Sequence, residues 1–334
     1  MIDTLEAEGF GPLGAQPLSF FDLAEVGVEA RARELAGRTQ AIMVGLDRQG
    51  LLPPVDPEPF DTLFTVAPHA PAPWVSIAPS RWNERLAGLA DVVAKCPFAA
   101  STAMHVLRMS QSMAVDDGLA LESFAYSTLL GGAEFRRWRQ AMPAATTAVA
   151  SGPFVEMTRD LDDCITIALA HPETRNGMCA GMRDALFEAL AAALDDPSRP
   201  KVRLTGRGAC FSTGGELSEF GSADDLALAH AIRTARSCAA LLFRLGERSE
   251  VLLHGACVGS GIEIPAAARV RTGLPGVFFQ LPELAMGLMP GAGGTVSLPR
   301  SIGRHRTAAM ILTGRRIDAA TALEWGLLTG MAPS

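Results

Sequence analysis

Between His254 and Thr295 the chain reads HGACVGSGIEIPAAARVRTGLPGVFFQLPELAMGLMPGAGGT, and no other stretch constrains the fold as tightly. It contains two glycine-dense turns, Gly259-Ser260-Gly261 and Gly291-Ala292-Gly293-Gly294. Two carboxylates sit between them in apolar settings, Glu263 in IEI and Glu283 in LPEL. Flanked by Ile, Leu and Pro, they are poorly placed for a solvated surface. Burial favours the protonated carboxyl and raises its pKa, which suits proton transfer near neutral pH.

The rest of the chain supplies strand–turn–helix units around this stretch. Residues 1–80 read as a small α/β segment without visible chemistry. Its elements are a helix from Phe21 to Gly37, with Asp22 near its start, and strands at Gln40–Leu46, Thr62–Val66 and Trp74–Ala78. Residues 81–145 read as a helical module of three helices, RWNERLAGLADVVAKC, FAASTAMHVLRMSQSMA and LALESFAYSTLLGG. A short basic turn, Glu134–Arg139, follows, and His105, Met104, Met109 and Met113 read as structural filler. Pro143–Pro153 reads as a linker. Residues 146–334 carry two strands around the turn Asp160–Asp163, a helix over Gly177–Leu194 and a strand at Lys201–Thr205. A second glycine turn, FSTGGELSEF (Phe211–Phe220), comes next. A helix over about Ala223–Arg244, a strand at Val251–His254 and a helical stretch from Pro299 to Leu328 complete the pattern. The fold class is α/β with crossover connections.

Composition excludes several function classes. The 334 residues are 48% hydrophobic and 19% charged, with a net charge of −7. No long Lys or Arg run is present, which argues against nucleic-acid or membrane-surface partners. The six scattered cysteines form no CxxC pair and read as reduced thiols. The acidic N-terminus lacks a signal-peptide pattern, and no apolar run is expected to reach transmembrane length, so the expected setting is cytoplasmic. Val258 breaks a GxSxG nucleophile elbow, and Ile264 breaks a GxGxxG fingerprint. No metal-ligand cluster appears, so no metal is expected.

FSTGGELSEF and HGACVGSGIEI share one design. Each is expected to carry a strand into a glycine turn that opens a helix, whose first N–H groups lack internal partners. Facing each other, two such turns aim two backbone donors at one oxygen. That arrangement stabilises an enolate or tetrahedral oxyanion.

With these motifs the chain resembles the enoyl-CoA hydratase/isomerase (crotonase) superfamily over about Phe154–Met331. The carriers are LAHPETRNGM, LTGRGACFSTGGELSEF, HGACVGSGIEI, FQLPELAMGLMPGAGGT and LTGRRIDAATALEWGLL, in the family's order and spacing. The resemblance implies a crotonase-like spiral of ββα units with a helical covering and oligomerisation module. It places the two oxyanion-hole N–H groups on Gly215 and Ser260, where relatives usually carry glycine at the second position. It places the acid/base pair on Glu263 and Glu283, and substrate-binding turns on Ser212, Thr213, Gly214, Gly259, Gly261 and Gly291. Glu216 stands where relatives often have Asp. The implied reaction is syn hydration of a 2-enoyl-CoA to a 3-hydroxyacyl-CoA. Double-bond isomerisation, other enolate chemistry on acyl-CoA, or non-catalytic CoA binding are the alternatives. The implied partner is an acyl-CoA thioester with no separate cofactor, since coenzyme A belongs to the substrate. The implied assembly is a homo-trimer or hexamer.

The helices that relatives carry after the last motif are expected here at Trp82–Arg139. A circular permutation or half-duplication would place them there, with residues before Ser80 a decayed partial repeat. VSIAPS (Val75–Ser80) echoes TGMAPS (Thr329–Ser334). Arg136, Arg137 and Arg139 read either as a solvated basic turn or as contacts for CoA phosphates.

Overall fold

A computed structural model describes residues 4–142 and 152–333. The chain begins with α1 (Thr4–Glu8), β1 (Leu18–Asp22), α2 (Val28–Ala36), β2 (Ile42–Asp47), β3 (Thr62–Thr65) and β4 (Trp74–Ser76). The four strands form a parallel sheet in sequence order. Four helices follow: α3 (Trp82–Lys95), α4 (Pro97–Ser110), α5 (Val115–Leu130) and α6 (Ala133–Ala141). Then come β5 (Val155–Arg159), β6 (Cys164–Leu169), α7 (Ala180–Asp195), β7 (Lys201–Gly206), α8 (Leu226–Ala235) and α9 (Cys238–Leu245). The organising stretch holds β8 (Ser249–Leu253), β9 (Ala256–Val258), α10 (Ser260–Glu263), β10 (Val270–Gly273) and β11 (Phe278–Gln280). The chain closes with α11 (Gly294–Ile302), α12 (Arg304–Thr313), β12 (Ile317–Asp318), α13 (Ala319–Trp325) and β13 (Gly330–Met331).

The larger sheet has the order β13-β10-β8-β7-β6-β5 and is parallel except at the β5–β6 hairpin. A three-stranded sheet, β12-β11-β9, lies on the path to the glycine turns. Alternation along β2 ties the layers together. Ile42, Val44 and Leu46 join the main core with α3 and α4, whereas Met43 faces a smaller core with Phe21, Phe60 and Leu63. On α3, Trp82, Leu86, Leu89 and Val93 recur at helical spacing and are all buried.

Several sequence expectations need correction. Phe21 and Asp22 belong to a strand, because Leu18–Asp22 pairs with Ile42–Leu46, and the helix starts only at Val28. Glu134–Arg139 is helical, within α6, and Phe135 is buried beneath it. The helix drawn over Ala223–Arg244 breaks at Arg236–Ser237, where Ser237 Oγ accepts the N–H of Ala240 and starts α9 afresh. FSTGGELSEF opens a single 3-10 turn at Leu217–Glu219 rather than an α-helix. Leu226–Arg248 is, against expectation, long and apolar enough by length and composition to cross a membrane. The break divides it into α8 and α9, each far shorter than a span. Residues 143–151 of the expected linker lie outside the described residues.

Candidate active site

The two glycine turns meet because their strands pair. Phe211 N–H donates to His254 O, Ser212 N–H to Ala256 O, and Val258 N–H to Ser212 O. Buried Asn176 braces the first turn, its Nδ2 donating to the carbonyls of Arg207, Cys210 and Phe211. Ser212 Oγ donates to Asn176 O at 2.7 Å and accepts Gly214 N–H at 3.1 Å. The fit allows no side chains. A Cβ on Gly214 would lie 2.6 Å from Val258 O, and one on Gly261 would lie 2.5 Å from Ser212 O.

Past these contacts the chain presents the N–H groups of Gly215 and Ser260. Neither donates to an acceptor among the described residues, and both residues line the same cavity of about 1070 Å³. Ser260 Oγ is buried there without a partner among the described residues.

Glu263 and Glu283 line that cavity too, and they converge on one point. A Cβ on Gly259 would lie 2.6 Å from Glu283 Oε1 and 3.9 Å from Glu263 Oε1, so only glycine fits between them. Their environments differ. Glu263 Oε2 accepts the N–H groups of Ala292 at 2.7 Å and Gly294 at 3.1 Å, at the start of α11. Glu283 Oε2 is buried without a partner among the described residues. Burial lifts both carboxyls, Glu283 to about 8 and Glu263 well above the usual range, with Glu283 adding repulsion on Glu263. The two N–H donors oppose that lift on Glu263.

A third carboxylate, missed in the sequence, completes the cluster. Glu122 of α5 is buried, and its Oε1 accepts Gly293 N–H at 2.6 Å. Its Oε2 accepts Thr295 N–H at 2.7 Å and Thr295 Oγ1 at 2.6 Å. Burial lifts Glu122 to about 7. Four consecutive N–H groups, from Ala292 to Thr295, thus alternate between Glu263 and Glu122. A helix start is suited to hold charge in this way. Only an acidic residue inside the apolar run LALESFAYSTLL could have hinted at it.

The expected substrate-binding positions divide. Gly291 lines the cavity, and a Cβ there would strike the Tyr126 ring at 2.4 Å. Ser212, Thr213, Gly214, Gly259 and Gly261 do not line it; they build the turns, where Thr213 is half-buried and the other four are buried by the packing of turn against turn. Arg136 and Arg139 reach the cavity from α6, while Arg137 turns away to Lys95 O. Among the described residues no cluster of His, Cys, Asp or Glu could hold a metal.

Known proteins resemble the chain over its second half. The enoyl-CoA hydratase/isomerase family model matches residues 162–334. Over 173 residues the chain is 32% identical to the 2,3-dehydroadipyl-CoA hydratase of Escherichia coli (strain K12), covering 51% of this chain and 66% of that protein, just under two thirds of its length. The enoyl-CoA hydratase structure from Thermoplasma volcanium GSS1 superposes with a TM-score of 0.50 at 28% identity, over 54% of this chain and 72% of that one. The enoyl-CoA hydratase structure from Bacillus halodurans gives 0.51 at 26% identity, over 54% and 74%. With the motif turns seated against each other and the family model matched across half its length, the chain belongs to the enoyl-CoA hydratase/isomerase family, of crotonase fold.

Proposed function

We propose that the protein hydrates a 2-enoyl-CoA thioester. The observation that carries this reading is the convergence of two buried carboxylates on Gly259, beside two cavity-lining N–H groups without acceptors among the described residues. The thioester oxygen accepts from Gly215 N–H and Ser260 N–H, which draws electron density from the conjugated double bond. Ser260 Oγ adds a third polar atom at this point. Glu263, whose charge the α11 N–H groups favour, takes a proton from water as the water oxygen bonds to the β carbon. Glu283, which lacks those donors, holds the shared proton and delivers it to the α carbon. The hydroxyl and the hydrogen add to the same face, the thioester returns to its neutral form, and the two carboxyls exchange protonation states for the next turnover. Arg136 and Arg139, lining the cavity from α6, suit the CoA phosphates.

The proposal extends to the helices. Leu119, Glu122 and Tyr126 of α5 and Phe135 of α6 line the cavity, as a covering module would. A rearranged repeat accounts for their place in the sequence. VSIAPS overlaps β4 and TGMAPS contains β13, and each of these short strands lies at the edge of its sheet and pairs in parallel. A cytoplasmic trimer or hexamer belongs to the same reading, and mass measurement in solution tests the assembly.

Adding protein to crotonyl-CoA and following the enoyl ultraviolet absorbance tests the chemistry. Hydration bleaches it, and Glu263→Gln or Glu283→Gln should each slow the bleaching by about 10² to 10⁴. Unchanged absorbance with crotonyl-CoA, or a rise with a 3-enoyl-CoA, would replace hydration with binding or isomerisation.

A further inference from the structure

Two parts of the cavity lining differ in character. At one, the ring of Phe220 closes on Gly215, and Arg139 lies beside Gly221. At the other, the Tyr126 ring abuts Gly291, and the guanidinium of Arg233 stands over that ring, 4.7 Å from its centroid. The turn from Ala292 to Gly294, which holds the carboxylate of Glu263, follows Gly291.

Arg233 is an unusual cation. It sits on α8 and lines the cavity. Its Nη1 donates to Ser123 O at 3.4 Å, Ser123 Oγ at 2.9 Å and Ser127 Oγ at 3.1 Å. Its Nε and Nη2 donate to no acceptor among the described residues. It forms no ion pair among them, in contrast to its neighbours: Arg183 pairs with Asp184 at 2.9 Å, and Arg236 with Glu188 at 3.2 Å. Glu122 is close enough to interact electrostatically, but its oxygens are taken by Gly293 and Thr295. Three neutral oxygens and an aromatic face fix the guanidinium while leaving one planar edge open. A guanidinium edge matches a carboxylate in geometry and charge, through two parallel N–H donors.

The order of chemistry along an enoyl thioester says which end of the ligand meets Arg233. The thioester lies at Gly215 and Ser260, the double bond next at the glutamates, and the acyl tail beyond them. Glu263 is held by the turn that follows Gly291, and Gly291 touches Tyr126. The tail therefore runs toward Tyr126 and Arg233. A methyl terminus there would leave a partly buried guanidinium edge unpaired, which is unfavourable.

Resting on the acyl-CoA reading above, we propose that Arg233 binds a carboxylate at the far end of the acyl group, so that the preferred substrate is the mono-CoA thioester of an unsaturated dicarboxylic acid.

The test compares two substrates of equal length, 2-hexenoyl-CoA and the mono-CoA thioester of 2-hexenedioic acid. The wild type should favour the dicarboxylic substrate in kcat/KM by about 10-fold or more, the range of a charge-assisted hydrogen bond. In Arg233→Met that ratio should fall by about 10- to 100-fold, and Arg233→Lys should keep part of it. The ratio is internal to each protein, so partial loss of folding cancels. A wild-type preference for the methyl-ended substrate, or a ratio that Arg233→Met leaves unchanged, overturns the inference. Calorimetric binding of the saturated pair, hexanoyl-CoA and adipyl-CoA, separates the two readings. A binding preference for adipyl-CoA that depends on Arg233, in a protein that hydrates neither substrate, sinks hydration and keeps the inference. Hydration without discrimination does the reverse, and binding of neither thioester overturns both.

Discussion

Glu283 is buried, and its Oε2 finds no hydrogen-bond partner among the described residues. Burial raises its folded-state pKa to about 8, against 4.5 for an exposed glutamate. The sign follows from proton linkage. Between those two values the unfolded chain is ionised while the folded one keeps its proton, so folding becomes less favourable as pH rises. The contribution of the group is intact below the unfolded value and lost as pH climbs through the folded one. Glu283→Gln keeps the shape of the protonated acid and cannot ionise. Thermal scans should therefore show the variant gaining on the wild type from about pH 5 to about pH 9, by on the order of a few kcal/mol. A melting-temperature difference that stays flat across that range would mean that Glu283 ionises freely in the fold. Glu263 and Glu283 were legible because Ile, Leu and Pro surround them in the sequence itself. Arg233 was not. Its meaning depends on which cations find partners across space, and α8 carries no local sign of that.

At the scale of the element, α11 shows how a helix start can organise a site. Its first N–H groups have no partners within the helix, and here two carboxylates from distant segments take them in alternation. Glu122 contributes no atom to the proposed proton path. It fixes the turn that in turn fixes Glu263. Truncation to alanine would leave the N–H groups of Gly293 and Thr295 buried and unpaired. Glu122→Ala should lower unfolding stability by about 2–4 kcal/mol in denaturant melts, and an effect within error would show that water replaces the carboxylate without penalty. The elements themselves were read unevenly. The β2, β3 and β4 strands, the β5–β6 hairpin and helices α3 and α7 were visible because apolar periodicity agrees with their tertiary setting. β1 was not, since Phe20-Phe21-Asp22 suits a helix start as well as a strand, and only pairing with β2 decides it. The α8–α9 break was hidden because Arg236-Ser237 lacks Gly or Pro, and capping by Ser237 divides the run instead.

For the whole molecule, the question is whether residues 1–80, which carry none of the chemistry, stand apart from the site. The contacts along α12 say they do not. Arg304 is buried, and it donates from Nη1 to Phe60 O at 3.0 Å and from Nη2 to Glu58 O at 3.1 Å. His305 Nε2 lies 2.9 Å from Pro57 O. Arg306, also buried, donates to Trp74 O at 3.2 Å and Ala70 O at 3.0 Å. From α4, Arg108 Nε adds a bond to buried Asp61 at 2.8 Å, and Asp61 accepts Met43 N–H at 2.8 Å. The loops of the small sheet are thus hydrogen-bonded to side chains of α12 and α4. α12 in turn packs on α11, whose first turn holds Glu263 and Glu122. Separation would orphan cations and carbonyls on both faces, so folding should be cooperative across the chain. Arg304→Ala should lower the unfolding free energy by about 3 kcal/mol in a single transition, with the near-ultraviolet signal of the N-terminal sheet and the proposed enoyl-CoA turnover lost together. Two resolved transitions, the first leaving turnover intact, would mean that the small sheet is an independent passenger.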